Sequence, residues 1–141
     1  MLELVIGHDE DVARWVSARI PQVTTMPGGY VAIGVARDGS LTGGALFTNY
    51  RPCPGGGDIE VWCAGKGWLS RRVIRAILAY PFLQLGCHRL TALTPKGNRP
   101  SRRLLEGLGF KFEGIARQGF GPRSHAALYS MLRGECRWIE E

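Results

Sequence analysis

The sequence predicts a single α/β domain over residues 1–141: a mixed, mostly antiparallel sheet of six to seven strands flanked by about three helices. Three observations carry this expectation. Strand-like and helix-like stretches follow one another as strand, helix, three strands, helix, strand, helix, two strands. The connection at Asp38-Gly39 is too short for anything but an antiparallel hairpin. A chain of 141 residues, 45% of them hydrophobic, is long enough to bury one core without staples.

Leu2 to Gly7 reads as a first strand. Asp9-Glu10-Asp11 then suits a helix start, because acidic groups meet the positive end of the helix dipole. Val12, Trp15, Val16 and Ile20 recur at helical spacing, and Pro21 stops the run. Met26-Pro27-Gly28-Gly29 is expected as a loop, with strands at Tyr30 to Ala36 and Leu41 to Thr48 after it. Arg51 to Gly57, with two prolines and three consecutive glycines, reads as a flexible connection. Asp58 to Cys63 is the next strand. A helix is expected from about Trp68 to Leu85, with Leu69, Val73, Ile74, Ile77 and Leu78 as its apolar set and Pro81 kinking or ending its regular part. Arg89 to Leu93 is a strand. Asn98 can cap a short helix with Pro100 in its first turn and Leu104, Leu105 and Leu108 inward. Gly109 falls where a left-handed C-terminal residue is wanted. Phe112 to Ala116 and Leu128 to Leu132 close the domain as a hairpin.

Several functional classes recede on composition. No stretch approaches the roughly 18 apolar residues of a membrane span. Met1-Leu2-Glu3-Leu4 lacks a basic region followed by an apolar run, so no signal peptide is expected and the location expected is cytoplasmic. Cys53, Cys63, Cys87 and Cys136 are far apart, and His8, His88 and His125 complete no ligand set with them. Reduced thiols and no metal are therefore expected.

Net charge is +6, unevenly spread. Residues 1–57 carry four basic and five acidic side chains; residues 58–141 carry fourteen and seven. The second half should meet an anion: a phosphorylated cofactor, a nucleic acid or only solvent counterions. Nucleic acid is the less favoured partner, because only Trp62 and Trp68 could interleave aromatic rings with the arginines.

Two constellations carry chemistry. Gly65-Lys66-Gly67-Trp68 follows a strand and precedes Arg71, Arg72 and Arg75. Glycines let backbone N–H groups converge on a ligand, and cations crowded at a helix start oppose the dipole unless an anion binds there. The second is Asn98-x-x-Ser101, with Gly109-Phe110 and Glu113-Gly114 after it. It reads by itself as a capped helix, a glycine stop and a strand.

That second constellation resembles the C-terminal motif of GNAT acetyltransferases, most closely the branch acetylating ribosomal-protein N-termini. The closing run from Tyr129 through Met131, Leu132, Arg133 and Glu135 to Trp138 is similar to the same branch. Trp68-Leu69-Ser70-Arg71 with Tyr80-Pro81-Phe82 resembles small GNAT-like proteins of bacteriophages. The resemblance implies a GNAT-like sheet with splayed central strands and acetyl-coenzyme A as cosubstrate. The pantetheine arm would bond the backbone around Val61, Trp62 and Cys63. The pyrophosphate would rest on N–H groups from Gly65, Lys66, Gly67, Trp68, Leu69 and Ser70, near Arg71. Asn98 and Ser101 would lie by the thioester. Trp62 and Trp68 flank the glycine loop, where stacking on adenine, walling the acceptor pocket and packing in the core or rim are all open.

The family loop Gln/Arg-x-x-Gly-x-Gly/Ala falls on Ala64 to Leu69, where both ends depart, and a family tyrosine position holds Leu105. Ser101 is then the candidate acid. Glu60, on a central strand face with Asp58 and Trp62, is the candidate base; His125 is a minor one. The implied activity is acetyl transfer from acetyl-coenzyme A to an amine of a protein N-terminus or small molecule. The alternative is a catalytically inactive GNAT-fold protein that binds coenzyme A or a macromolecular partner. A homodimer stays open.

Overall fold

A computed structural model describes residues 1–23 and 28–139. The expected loop at Met26 and Pro27 lies outside the described residues. Seven strands form one sheet in the order β1-β2-β3-β4-β5-β7-β6. They are β1 (Leu2–Val5), β2 (Tyr30–Arg37), β3 (Ser40–Cys53), β4 (Gly56–Gly65), β5 (Arg89–Pro95), β6 (Lys111–Ala116) and β7 (Ala126–Leu132). Every pairing is antiparallel except β4 with β5.

The helices are α1 (Asp9–Ser17), α2 (Arg71–Ala79) and α3 (Arg99–Leu108). Helix α1 covers one sheet face, where Val12, Ala13 and Val16 pack with Ala32 and Leu46. Helix α2 covers the other, where Val73, Ile77 and Leu78 meet Ile33, Val35, Phe47, Ile59 and Val61. Strand alternation sends neighbouring residues to opposite faces, so β2 and the paired part of β3 are apolar on both sides, while β4 and β5 turn Asp58, Glu60, Arg89 and Thr91 to the α1 side.

Three expectations are corrected. The stretch from Arg51 to Gly57 is paired strand rather than flexible connection: Arg51, Pro52 and Cys53 stand opposite Asp58, Gly57 and Gly56, and only Pro54 and Gly55 turn. Its prolines and glycines mark a long hairpin with an irregular register between Thr48 and Arg51. Helix α2 starts later than expected. The Ser70 hydroxyl accepts from the Val73 N–H at 3.2 Å and caps it, while Trp68 lies before the helix. Pro81 ends its regular part in a π-helical turn, Tyr80–Gln84. Leu104 is 43% exposed rather than inward; Leu105 and Leu108 are the residues of α3 that pack on the core.

Helix α3 buries none of its residues fully. It is held by the Tyr129 hydroxyl of β7, which accepts from Arg102 and donates to Glu106, each at 2.8 Å, and at its ends. Asn98 accepts from the Ser101 N–H at 3.2 Å, and Gly109 takes the left-handed cap with φ 111°. The last carbonyls are bound from the C-terminal tail: Arg137 donates to Gly107 at 2.7 Å and the Trp138 indole to Leu108 at 2.8 Å.

Candidate active site

The parallel joint between β4 and β5 is short. Pairing runs from Asp58 with Arg89 to Val61 with Ala92 and then stops. Strand β4 continues to Gly65 with β3 still paired to it, and β5 continues to Pro95 with β7 still paired. From Trp62 onward the two strands therefore part, and β4 presents an open edge of backbone donors and acceptors. A cleft of about 760 Å³ fills the gap. It reaches from Leu69 and Ile74 on the α2 side, past Cys63, Asn98 and Ser101, to Trp15, Arg19 and Trp62 on the α1 side.

The glycine loop serves the fold as well as any ligand. The Trp68 indole, 4% exposed, lies under it. A Cβ at Gly43 would come within 2.2 Å of that ring, and one at Gly65 within 2.6 Å of the Gly43 Cα. Trp68 demands a glycine at 43, and Gly65 is required by the β3 backbone as well as by the same ring at 2.7 Å. The buried ring takes the core-packing alternative and does not stack on adenine. The Lys66 N–H donates to the Thr42 carbonyl at 3.1 Å and leaves the set of amides available to a phosphate. The free amides are those at the start of α2, whose first turn holds Arg71 and Arg72 and no acid. Arg72 donates to the Leu2 carbonyl and so ties α2 to β1. The guanidinium of Arg71 lies 6.0 Å from the centre of the Trp138 ring.

Cys63 is solvent-accessible within the cleft, yet its apolar surroundings push its thiol up to about 12. It stays a neutral thiol at neutral pH and is a wall rather than a nucleophile. Ser101 also faces the cleft. Thr94, 4% exposed, donates its hydroxyl to Ser101 Oγ at 2.8 Å. That bond fixes the Ser101 hydroxyl at the cleft wall.

Glu60 does not line the main cleft. It faces an adjoining cavity of about 300 Å³ on the α1 side, and Leu93 lines both. Its two oxygens are held separately: Asn49 Nδ2 donates to Oε1 at 3.2 Å and Trp62 Nε1 to Oε2 at 3.3 Å. Asn49 reaches it from the irregular stretch of β3, with φ 58°. Phe120, from the loop between β6 and β7, packs edge-on against Trp62 at 5.9 Å. Behind Glu60 runs a chain of ion pairs. Arg51 binds Asp58 at 2.6 Å, and Thr91 donates to Asp58 at 2.8 Å. Arg89 holds Glu113 through two bonds at 2.7 and 2.9 Å. Hydrogen bonds from Arg89 and Ser130 hold the Glu113 carboxyl down at about 2.

Sequence reasoning placed Ser101, Asn98, Cys63, Trp62, Leu69 and Lys66 around one region, and all six line the cleft. It missed Thr94, Asn49, Phe120, Trp15 and Arg19. None belongs to a motif, and each reaches the site through strand register or loop folding. His125 accepts from the Gln118 N–H at 2.8 Å, a bond within its own loop. Among the described residues no cluster of His, Cys, Asp and Glu could hold a metal, and no helix is long and apolar enough to cross a membrane.

A seven-stranded mixed sheet opened at one parallel joint, with a capped helix on one side of the gap and a carboxylate on the other, defines an acyl-coenzyme A transferase fold. The chain belongs to the acetyltransferase (GNAT) domain family, whose model matches residues 6–111. It is 27% identical over 157 residues to the "Putative ribosomal N-acetyltransferase YdaF" of Bacillus subtilis (strain 168), covering 96% of this chain and 85% of that one. The fold is similar to RimJ of Mycobacterium smegmatis, solved in complex with CoA-disulfide, with a TM-score of 0.72 at 17% identity; 95% of this chain and 83% of that one are covered. It is also similar to ribosomal-protein-S5-alanine acetyltransferase from Vibrio fischeri, with a TM-score of 0.69 at 16% identity and 96% and 94% coverage. The protein is an N-acetyltransferase, and acetyl-coenzyme A is its cosubstrate.

Proposed function

We propose that the protein moves the acetyl group of acetyl-coenzyme A onto a primary amine of a protein N-terminus or small molecule, with Glu60 as base and Ser101 as acid. One observation carries this reading. The gap between β4 and β5 joins two sides of the sheet, one carrying a hydroxyl and the other a carboxylate. Ser101 stands on the α2 side, its hydroxyl fixed by Thr94. Glu60 stands on the α1 side as a carboxylate fixed by neutral donors. A direct transfer needs a proton taken from the amine on one side and one given to the departing thiolate on the other.

The chain's own residues divide the work. The open edge of β4 at Trp62 and Cys63 can bond an extended amide-bearing arm as a missing strand would. The start of α2, with Arg71 beside it, can hold a pyrophosphate on free N–H groups. Bound acetyl-coenzyme A supplies an activated thioester carbonyl. Glu60 accepts the ammonium proton, and Ser101, steadied by Thr94, donates to the leaving sulfur. The name of the Bacillus relative favours a protein N-terminus as acceptor. The test is thiol release from acetyl-coenzyme A with a panel of amines and N-terminal peptides. Release that depends on the amine is expected. Cosubstrate binding without release for any amine would leave a binding protein instead.

A further inference from the structure

We propose that the polar cavity beside Glu60 receives the acceptor's ammonium group and selects amines whose neighbouring carboxyl is absent or amidated, rejecting free amino acids. The inference rests on the reading of Glu60 as the base and adds the acceptor's charge rule.

The cavity holds two guanidiniums and two carboxylates, with a third carboxylate at its edge. Their pairing is not even. Arg51 binds Asp58, and Arg89 binds Glu113 through both of its terminal nitrogens and approaches Asp58 at 3.5 Å. Each cation thus meets a carboxylate already. Glu60 differs, because the donors on its oxygens are an amide and an indole, both neutral. Its charge is therefore steadied in place without being cancelled. An incoming ammonium finds an anion to pair with. An incoming carboxylate meets guanidiniums already bound to partners, and Glu60 repels it.

The cavity's remaining walls fit the same class. Leu93 and Leu128 give an apolar side for an alkyl carbon, and Leu93 is shared with the main cleft. An amine held against Glu60 is therefore next to the gap. A volume of about 300 Å³ takes a small residue, not a large ring system. A polypeptide N-terminus satisfies every condition, since its carboxyl is an amide. So does a simple alkylamine.

Alanine and alaninamide differ in the charge on the neighbouring carboxyl, a tripeptide amide beginning with alanine adds length to the uncharged form, and the three serve as probes. Thiol release from acetyl-coenzyme A with each, at equal concentration of free amine, gives kcat/KM. Alaninamide and the tripeptide amide should exceed alanine by at least about tenfold, the scale of one charge-pair difference of about 1.4 kcal/mol. Tripeptide amide above alaninamide would identify a polypeptide source; alaninamide above it, a small amine. Both support the charge rule. Asp58→Asn should release Arg51 and narrow the gap between alanine and alaninamide, while Thr91 keeps a hydrogen-bond partner. Alanine equal to or better than alaninamide in the unsubstituted protein would overturn the inference and leave acetyl transfer standing. No release with any of the three or with a wider amine panel would overturn both.

Discussion

The two sides of the sheet at the β4–β5 gap are built on different principles. On the α2 side the site is local: a glycine loop, a capped helix start with basic residues, and Asn98 and Ser101 within one turn of α3. On the α1 side it is assembled from distance: Asn49 from β3, Glu60 and Asp58 from β4, Arg89 and Thr91 from β5, and Glu113 from β6. The first side can hold a cosubstrate of fixed chemistry with a short sequence pattern. The second is tuned by strand register, which lets acceptor preference change without touching the cosubstrate motif.

The strongest test of this division is a pair of substitutions across the gap. Glu60→Gln and Ser101→Ala should both lower kcat, the first by about 10² or more and the second by at least about tenfold, the scale of a positioned proton-transfer group. Binding of acetyl-coenzyme A, followed by calorimetry, should stay as it was in both. If either variant loses cosubstrate affinity instead, the two sides are not separable.

Thr94→Val sharpens the α2 side. It deletes the donor to Ser101 while keeping the shape of the buried side chain. A lost bond worth about 1 kcal/mol predicts a fall in kcat of roughly fivefold with KM for acetyl-coenzyme A unchanged. In a Ser101→Ala background Thr94→Val should cost nothing further. An equal loss in both backgrounds would make Thr94 a packing residue.

A smaller effect is expected from Lys66→Ala and Arg71→Ala, which remove exposed cations near the start of α2. Each should weaken acetyl-coenzyme A by about twofold to fivefold at low salt, with the difference shrinking as salt rises. Affinities that are salt-independent in both variants would place the pyrophosphate elsewhere.

The smallest effect tests the α1 side through stability. Arg89 and Ser130 depress the Glu113 carboxyl from 4.5 to about 2 in the folded chain. A depressed acid stabilises the fold above its unfolded value and loses that contribution as pH falls through its folded value. Glu113→Gln should therefore be less stable than the unsubstituted protein at pH 6, and the two should converge between about pH 4.5 and 2. Because the side chain is 37% exposed, the shift in urea midpoint should be small. Parallel stability curves across that range would remove Glu113 from the network.

The same contrast explains what the sequence made legible. Helical spacing, Pro21, Asn98 and Gly109 are local signals, so the three helices and seven strands could be read in order. Arg51 to Gly57 was misread because prolines and glycines are loop formers by composition, whereas pairing with the other arm of the hairpin decides their state. Ser101 was visible because its motif lies within one turn. Thr94 was not, since nothing in its neighbourhood marks the strand residue that will face a serine seven positions on. Trp68 beside its glycines could be read as a ligand-facing ring or a core residue; Gly43 and Gly65 leave the room that admits it to the core.

The tail that binds the end of α3 has a consequence in time. Gly107 and Leu108 lend their carbonyls to Arg137 and Trp138, thirty residues later. The chain emerges from its N-terminal end during synthesis. The helix carrying Asn98 and Ser101 buries none of its residues fully, and its last carbonyls find these partners only when Arg137 and Trp138 join the fold. The last strand of the sheet ends earlier, at Leu132. The order of the chain therefore makes the C-terminal end of the acid arm the last part of the site that can be completed.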